Sequence, residues 1–195
     1  MSHALADDKE EARKQREGLE FYLLWQYRLE FGSSTRCNHG RFHARYTKST
    51  DRKRNIRGQR LPNDALDNLA SKSSMPPLQP QASPHENNWM GLRWSTPKEL
   101  RGTNLQNEDT SPGVYKIFDP NTLEILYVGE TTDLKSRLKT HAAKNWQCQS
   151  PHFSFVRLSH DIQKHQLRER ESDLLGGFYA LTSTLPKFQL IDHKK

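Results

Sequence analysis

The chain has 195 residues, 33% of them hydrophobic, with a net charge of +7, a mean hydropathy of −0.97 and an isoelectric point of about 9.5. No apolar run approaches the roughly 20 residues of a membrane helix, and two cysteines, Cys37 and Cys148, are too few for a disulfide framework. The totals imply one compact core, a good deal of polar chain and a polyanionic partner, and they argue against a membrane protein. The first residues, MSHALADDKEEARKQ, are polar and unlike a secretory signal, so a cytoplasmic location is expected.

Residues 4–31 read as a helix. Helix formers and early acids open it, and the sequence turns apolar from Leu19 onward. Leu19, Tyr22, Leu23, Gln26 and Tyr27 follow one face, while Phe21, Leu24, Trp25 and Leu29 add a second. So wide an apolar circumference needs a partner, either the rest of the chain or another copy, and a homodimer through this helix is one expectation. Gly32-Ser33-Ser34 stops it.

The charge is concentrated beyond that point. Between Arg36 and Arg60 stand Arg36, Arg41, Arg45, Lys48, Arg52, Lys53, Arg54, Arg57 and Arg60, against the single acid Asp51. Phe42 and Tyr46 are interleaved with them, giving a phosphate-tracking composition with rings available for stacking. DNA is the expected partner, with RNA also open. Cys37, His39 and His43 do not make a closed zinc site, because no further Cys/His pair follows at usable spacing. Residues 62–70 suggest a short helix. Residues 71–88, with four of the ten prolines, read as a linker. The expected division is therefore 1–88, for DNA binding and oligomerisation, and 89–195, with its core at 111–190.

Residues 89–102 regain aromatics, and Ser95 with Pro97 suggests a helical lead-in. Gly113–Phe118 and Ile125–Glu130 read as strands joined by a DPNT turn, and both are apolar on both faces, as inside a covered sheet. Thr132 or Asp133 caps a helix to about Lys144. His152–Leu158 is a third strand, and a long helix runs from Asp161 or Gln163 to about Leu181. Residues 185–191 are expected to be extended. The order is β-β-α-β-α, an α/β (α+β) domain with a largely antiparallel sheet flanked by helices.

Several polar residues fall on faces that should be apolar. Arg137 and His141 share a helical stripe with Leu134 and Leu138. Glu171 stands among Leu167, Leu174, Leu175 and Phe178, whereas Glu169 and Asp173 lie about 160° round the same helix. A lone carboxylate on an apolar face is either a buried ion pair or a functional group. On the hairpin, Tyr115 and Tyr127 share parity with Gly113 and Gly129, and glycine leaves room for a close approach to the backbone.

Gly113-Val114-Tyr115 followed by Tyr127-Val128-Gly129, then Arg137, His141 and Glu171 in that order, resembles the GIY-YIG nuclease family over residues 111–190. Valine replaces isoleucine in both motifs, and Gln189 stands after Pro186 where the family has asparagine. The resemblance implies a metal-dependent phosphodiesterase. In it Glu171 binds Mg²⁺ (or Mn²⁺), Arg137 holds the phosphate, and Tyr115 takes a proton from the attacking water. Tyr127 and His141 orient water or phosphate. Lys116, His141 and the metal are the cations expected to favour the Tyr115 phenolate, and Gln189 is expected to support the site. A restriction-type endonuclease is the favoured subtype. A homing, repair or structure-specific nuclease, and a binding module without turnover, stay open.

Overall fold

The computed structural model describes residues 2–35, 38–51, 53–101, 105 and 110–190, with side chains of the first helix from Glu10 onward. Arg36 and Arg52, two of the basic residues singled out above, lie outside the described residues. The elements are α1 (Ser2–Phe31), β1 (Lys98–Glu99), β2 (Gly113–Phe118), β3 (Ile125–Thr131), α2 (Leu134–Ala142), β4 (His152–Arg157) and α3 (Lys164–Thr182). The sheet has the order β1-β4-β2-β3, and every pairing is antiparallel. The class is α+β.

β2 is the central element. All six of its residues are buried, because it lies between two strands and between two apolar layers. Val114 and Phe118 face α1 and α3, packing with Trp25, Leu174 and Leu175. Tyr115 and Ile117 face the other way, toward Leu134 and Leu138 of α2. The hairpin turn is held by the Asp119 carboxylate, which accepts from the Asn121 N–H at 2.9 Å. Asp133 caps α2 by accepting from the Ser136 N–H, also at 2.9 Å.

Three local expectations are corrected. Ser95 opens no helix. It hydrogen-bonds Phe155 through both its backbone N–H and its side chain, and so begins the edge segment that becomes β1. Residues 62–70 form turns rather than a helix, ending in a 3-10 turn at Leu69–Ser71. Nor is the chain after α3 extended. Residues 187–190 turn back along the outer edge of β3, where the Phe188 N–H donates to the Leu126 carbonyl at 2.9 Å and the Val128 N–H donates to the Gln189 side chain at 3.2 Å.

α1 crosses α3 closely. A Cβ on Gly176 would lie 2.6 Å from the Phe21 carbonyl oxygen and 2.7 Å from the Trp25 Cβ, so only glycine fits there. The same contact carries a buried ion cluster. The Arg28 guanidinium grips Asp173 through two hydrogen bonds of 2.7 and 3.1 Å and lies 3.5 Å from Glu169. Its remaining donors go to Ser34 and the Met75 carbonyl. The two carboxylates also accept from the Met75 and Leu78 N–H groups. Residues 71–88 thus run as a strap along α3, held further by Gln166 and Arg170 donating to the carbonyls of Ser73 and Pro76.

Residues 45–51 and 53–61 form an irregular hairpin, with bridges Tyr46↔Arg60 and Asp51↔Ile56. The Asp51 carboxylate closes its tip by accepting from the Lys53 and Arg54 N–H groups. The hairpin joins the body through the Phe42 N–H to Ala70 carbonyl and Asn68 N–H to Ala44 carbonyl bonds.

Candidate active site

The hairpin register sets the site. Tyr115 lies opposite Gly129, and Tyr127 opposite Ile117. Residues opposite one another project to the same face of a sheet, so both tyrosines point toward α2. Their rings stack with centroids 6.0 Å apart. Gly129 makes this possible, since a Cβ there would lie 2.6 Å from the Tyr115 hydroxyl. Gly113 plays a different part. A Cβ would strike the Val156 carbonyl oxygen at 2.4 Å and the Leu134 side chain at 2.8 Å, so this glycine serves the fit of β4 and α2 against β2.

α2 contributes the third ring. His141 is buried, and its Nε2 shares a hydrogen bond of 2.8 Å with the Tyr115 hydroxyl. Trp146 packs on His141 and Tyr127, with centroids 5.4 and 6.0 Å away, and donates from its indole N–H to the His141 carbonyl at 2.9 Å. The Tyr127 hydroxyl is near enough to act on that of Tyr115. Tyr127 is half-buried and outermost, whereas Tyr115 is fully enclosed.

Arg137 is exposed at the rim. It does not pack on the sheet as its stripe suggested; Leu134, Leu138 and His141 fill that face. Its charge still acts on Tyr115, Tyr127 and Glu171. Lys144, half-buried beside it, is pulled below the usual lysine range first by burial and then by Arg137.

Glu171 reaches the same place from α3, around the outer edge of β3. Alternate N–H groups of a strand point to one edge. The Val128 N–H on that edge is taken by Gln189, and the Glu171 carboxylate approaches the next one, of Glu130. Burial pushes Glu171 up to about 7, and the neighbouring Glu130 carboxylate adds to this. Lys164 and Arg137 oppose the rise without cancelling it, and Lys164 is engaged with Glu130 at 2.7 Å.

Lys116 does not join the cluster. As the neighbour of Tyr115 on the strand, it points to the other face. There it is buried, donates to the Pro84 and Glu86 carbonyls at 2.6 and 2.9 Å, and lies 4.5 Å from the Trp94 ring centroid. Burial pulls it down to about 7. With no cation bound, the protein's own groups do not favour a Tyr115 phenolate. Burial is the largest influence and Tyr127 the next, together holding the phenol well above its ordinary value, with Arg137 the opposing charge. Tyr127 is raised by burial and then by Glu171.

Among the basic residues, Arg45 is committed to the fold. It donates to the Ala65 carbonyl at 2.7 Å, to Asp67 at 3.1 Å and to the Pro62 carbonyl. Arg41, Lys48 and Arg57 line a cleft of about 920 Å³ together with Phe42. Lys53, Arg54 and Arg60 lie on the exposed surface of the hairpin, where Arg54 pairs with Asp51 at 3.5 Å.

Residues 111–180 match the family model described as the GIY-YIG catalytic domain. This segment is a GIY-YIG domain. No curated protein and no solved structure matches the chain. The GIY-YIG assignment gives a nuclease-type fold, for which the substrate is a nucleic acid and activity generally depends on a divalent metal. No described helix is long and apolar enough to cross a membrane. Sequence reading had not singled out Glu130, Lys144 or Trp146 at this site. Trp146 was the most accessible to it, as a large aromatic just beyond the histidine helix.

Proposed function

We propose that the chain is a cytoplasmic, metal-dependent endonuclease that hydrolyses DNA phosphodiester bonds, with a site-specific restriction-type enzyme as the favoured subtype. One arrangement carries this reading: Tyr115 is hydrogen-bonded to His141, with the Tyr127 ring packed on both, at a rim where Arg137 and Glu171 act on both phenols.

Glu171 is the candidate metal ligand. Burial raises its pKa, the neighbouring Glu130 carboxylate adds to this with incomplete cationic compensation, and a divalent cation would supply the missing charge. Among the described residues no group of three or more His, Cys, Asp or Glu side chains could hold a metal. A hard ion that keeps waters and takes phosphate oxygens suits such a sparse set, so Mg²⁺ (or Mn²⁺) fits. Bound there, it supplies Lewis-acid polarisation of the scissile phosphate and charge against the departing oxygen.

The remaining roles belong to the chain. Arg137, at the rim, presents a planar fork to phosphate oxygens. The outer Tyr127 and the inner Tyr115 form a path from solvent to His141. A proton leaving water enters at a phenol oxygen while a phenol proton moves inward, and His141 Nε2, in its unprotonated tautomer, takes the last one. The proton then rests on an imidazolium rather than leaving a buried phenolate, which the raised pKa of Tyr115 disfavours. Residues 1–88 supply affinity and assembly. Arg41, Lys48 and Arg57 track phosphates along the cleft, with Lys53, Arg54 and Arg60 beside it. RNA is the other polyanion such a surface fits. A homodimer through α1 would present two equivalent sites to a palindromic sequence.

Cleavage of supercoiled plasmid with Mg²⁺, against EDTA and Glu171→Ala controls, tests the reading. Discrete fragments lost in both controls are expected. A smear would replace the restriction subtype with a nonspecific or structure-directed nuclease. Binding without cleavage of duplex, branched or single-stranded substrates would replace the enzyme with a binding module.

A further inference from the structure

α1 has two unlike sides. Trp25 and Arg28 are buried against α3 and the strap. On the opposite side, Leu19, Leu23, Tyr27 and Phe31 follow at every fourth position and are 46, 56, 38 and 58% exposed. Beside that ridge lies an apolar groove of about 400 Å³, lined by Leu19, Leu23, Leu24 and Tyr27, with Arg16 and Glu20 at its lip. Large apolar residues in a continuous row are unlike the scattered exposed leucine of an ordinary surface.

We infer that this stripe pairs with the same stripe of a second copy, antiparallel, about a two-fold axis through Leu23. A ridge beside a groove is the geometry in which one helix receives another, and a two-fold interface must be complementary to itself. The stripe meets that requirement in one direction. With Leu23 against Leu23, Leu19 meets Tyr27, and Arg16 meets Glu30. At 100° per residue, Arg16, Leu23, Tyr27 and Glu30 fall within about 60° of arc, so these positions share the contact line. Arg16 and Glu30 are both exposed. Parallel pairing would instead set Arg16 against Arg16 and Glu30 against Glu30. A nucleic acid suits the surface poorly, since the row is apolar and its charges have both signs. The inference builds on the homodimer in the reading above and is independent of its chemistry.

Sedimentation velocity of the full chain over a concentration series, without nucleic acid, is the test. The wild type is expected to approach dimer mass as concentration rises. Leu23→Glu, which sets two like charges on the axis, is expected to remain monomeric. Arg16→Glu and Glu30→Arg each turn two attractive contacts repulsive, and each should weaken association on the order of tenfold, because rim pairs are individually weak and are counted twice. The double variant, with the charges exchanged, should recover dimerisation, which also shows that the exchanged helix still folds. A wild type that stays monomeric at every concentration overturns the inference, as does a dimer that is indifferent to the single reversals or not restored by the double one. The readout is mass, so a failure of plasmid cleavage and a failure of this interface are separate results.

Discussion

α3 carries two sets of carboxylates on opposite sides, and they differ in how completely they are answered. Glu169 and Asp173 face α1. Arg28 grips Asp173 and lies 3.5 Å from Glu169, the Met75 and Leu78 N–H groups each bond one oxygen of the pair, and the strap seals them in. Glu171, between them in sequence, faces the β3 edge, lies beside one backbone N–H, and has a second carboxylate for a neighbour. Burial alone does not separate a structural acid from a chemical one. The separation lies in whether the protein supplies the counter-charge itself or leaves it to be brought in.

The sharpest way to break that contrast is to remove the internal counter-charge. Arg28→Ala leaves Asp173 and Glu169 buried without their cation, and a stability loss of about 3–5 kcal/mol is expected in denaturant unfolding. On the other side, Glu171→Ala should leave the melting transition near its wild-type position while lowering cleavage more than about 100-fold. Loss of an outer partner of a metal ligand already costs roughly 10–100-fold, and here the ligand itself is removed. A cleavage rate that survives Glu171→Ala would end its assignment as the chemical carboxylate. Lys116→Met tests the opposite face of the sheet. It strands two carbonyls on the strap, so about 1–3 kcal/mol of stability should be lost, with little change in the rate per folded molecule. The smallest effect concerns pH. Glu171 is raised to about 7 without a bound cation, so protons compete with metal below that value. Titration calorimetry with Mn²⁺ should show tighter binding at pH 8 than at pH 6, changing by no more than about tenfold per pH unit.

The sequence made the sheet legible because β2 and β3 are apolar on both faces and bounded by strong turn and cap residues. The tyrosine pair could be placed from parity alone, since an antiparallel register fixes which side chains share a face. Glu171 stood out because it broke an apolar stripe. What stayed hidden depends on contacts distant in sequence. Arg28 in an N-terminal helix gives no sign that its partners are Glu169 and Asp173. A proline-rich stretch reads as a linker because prolines do not reveal that Leu78 will be buried and its N–H bonded to Asp173. Lys116 was assigned to the wrong face of the argument for a simpler reason. It adjoins Tyr115 in sequence, and in a strand adjacency means opposite sides. The enclosure of Tyr115, which raises its phenol, was equally out of reach, because it depends on packing rather than on neighbours in sequence.

The turn at 187–190 has a consequence for the protein's behaviour in a crowded solution. β3 is the outermost strand on its side of the sheet, and an unpaired strand edge is a template on which another chain can add. Here the edge is covered: the Leu126 carbonyl by the Phe188 N–H, the Val128 N–H by the Gln189 side chain, and the Glu130 N–H by the approach of Glu171. The last of these guards is the carboxylate assigned to the chemistry. Whatever draws Glu171 away from the strand releases one backbone donor beside the reacting centre, so protection of the fold against self-association and readiness of the site meet at a single N–H group.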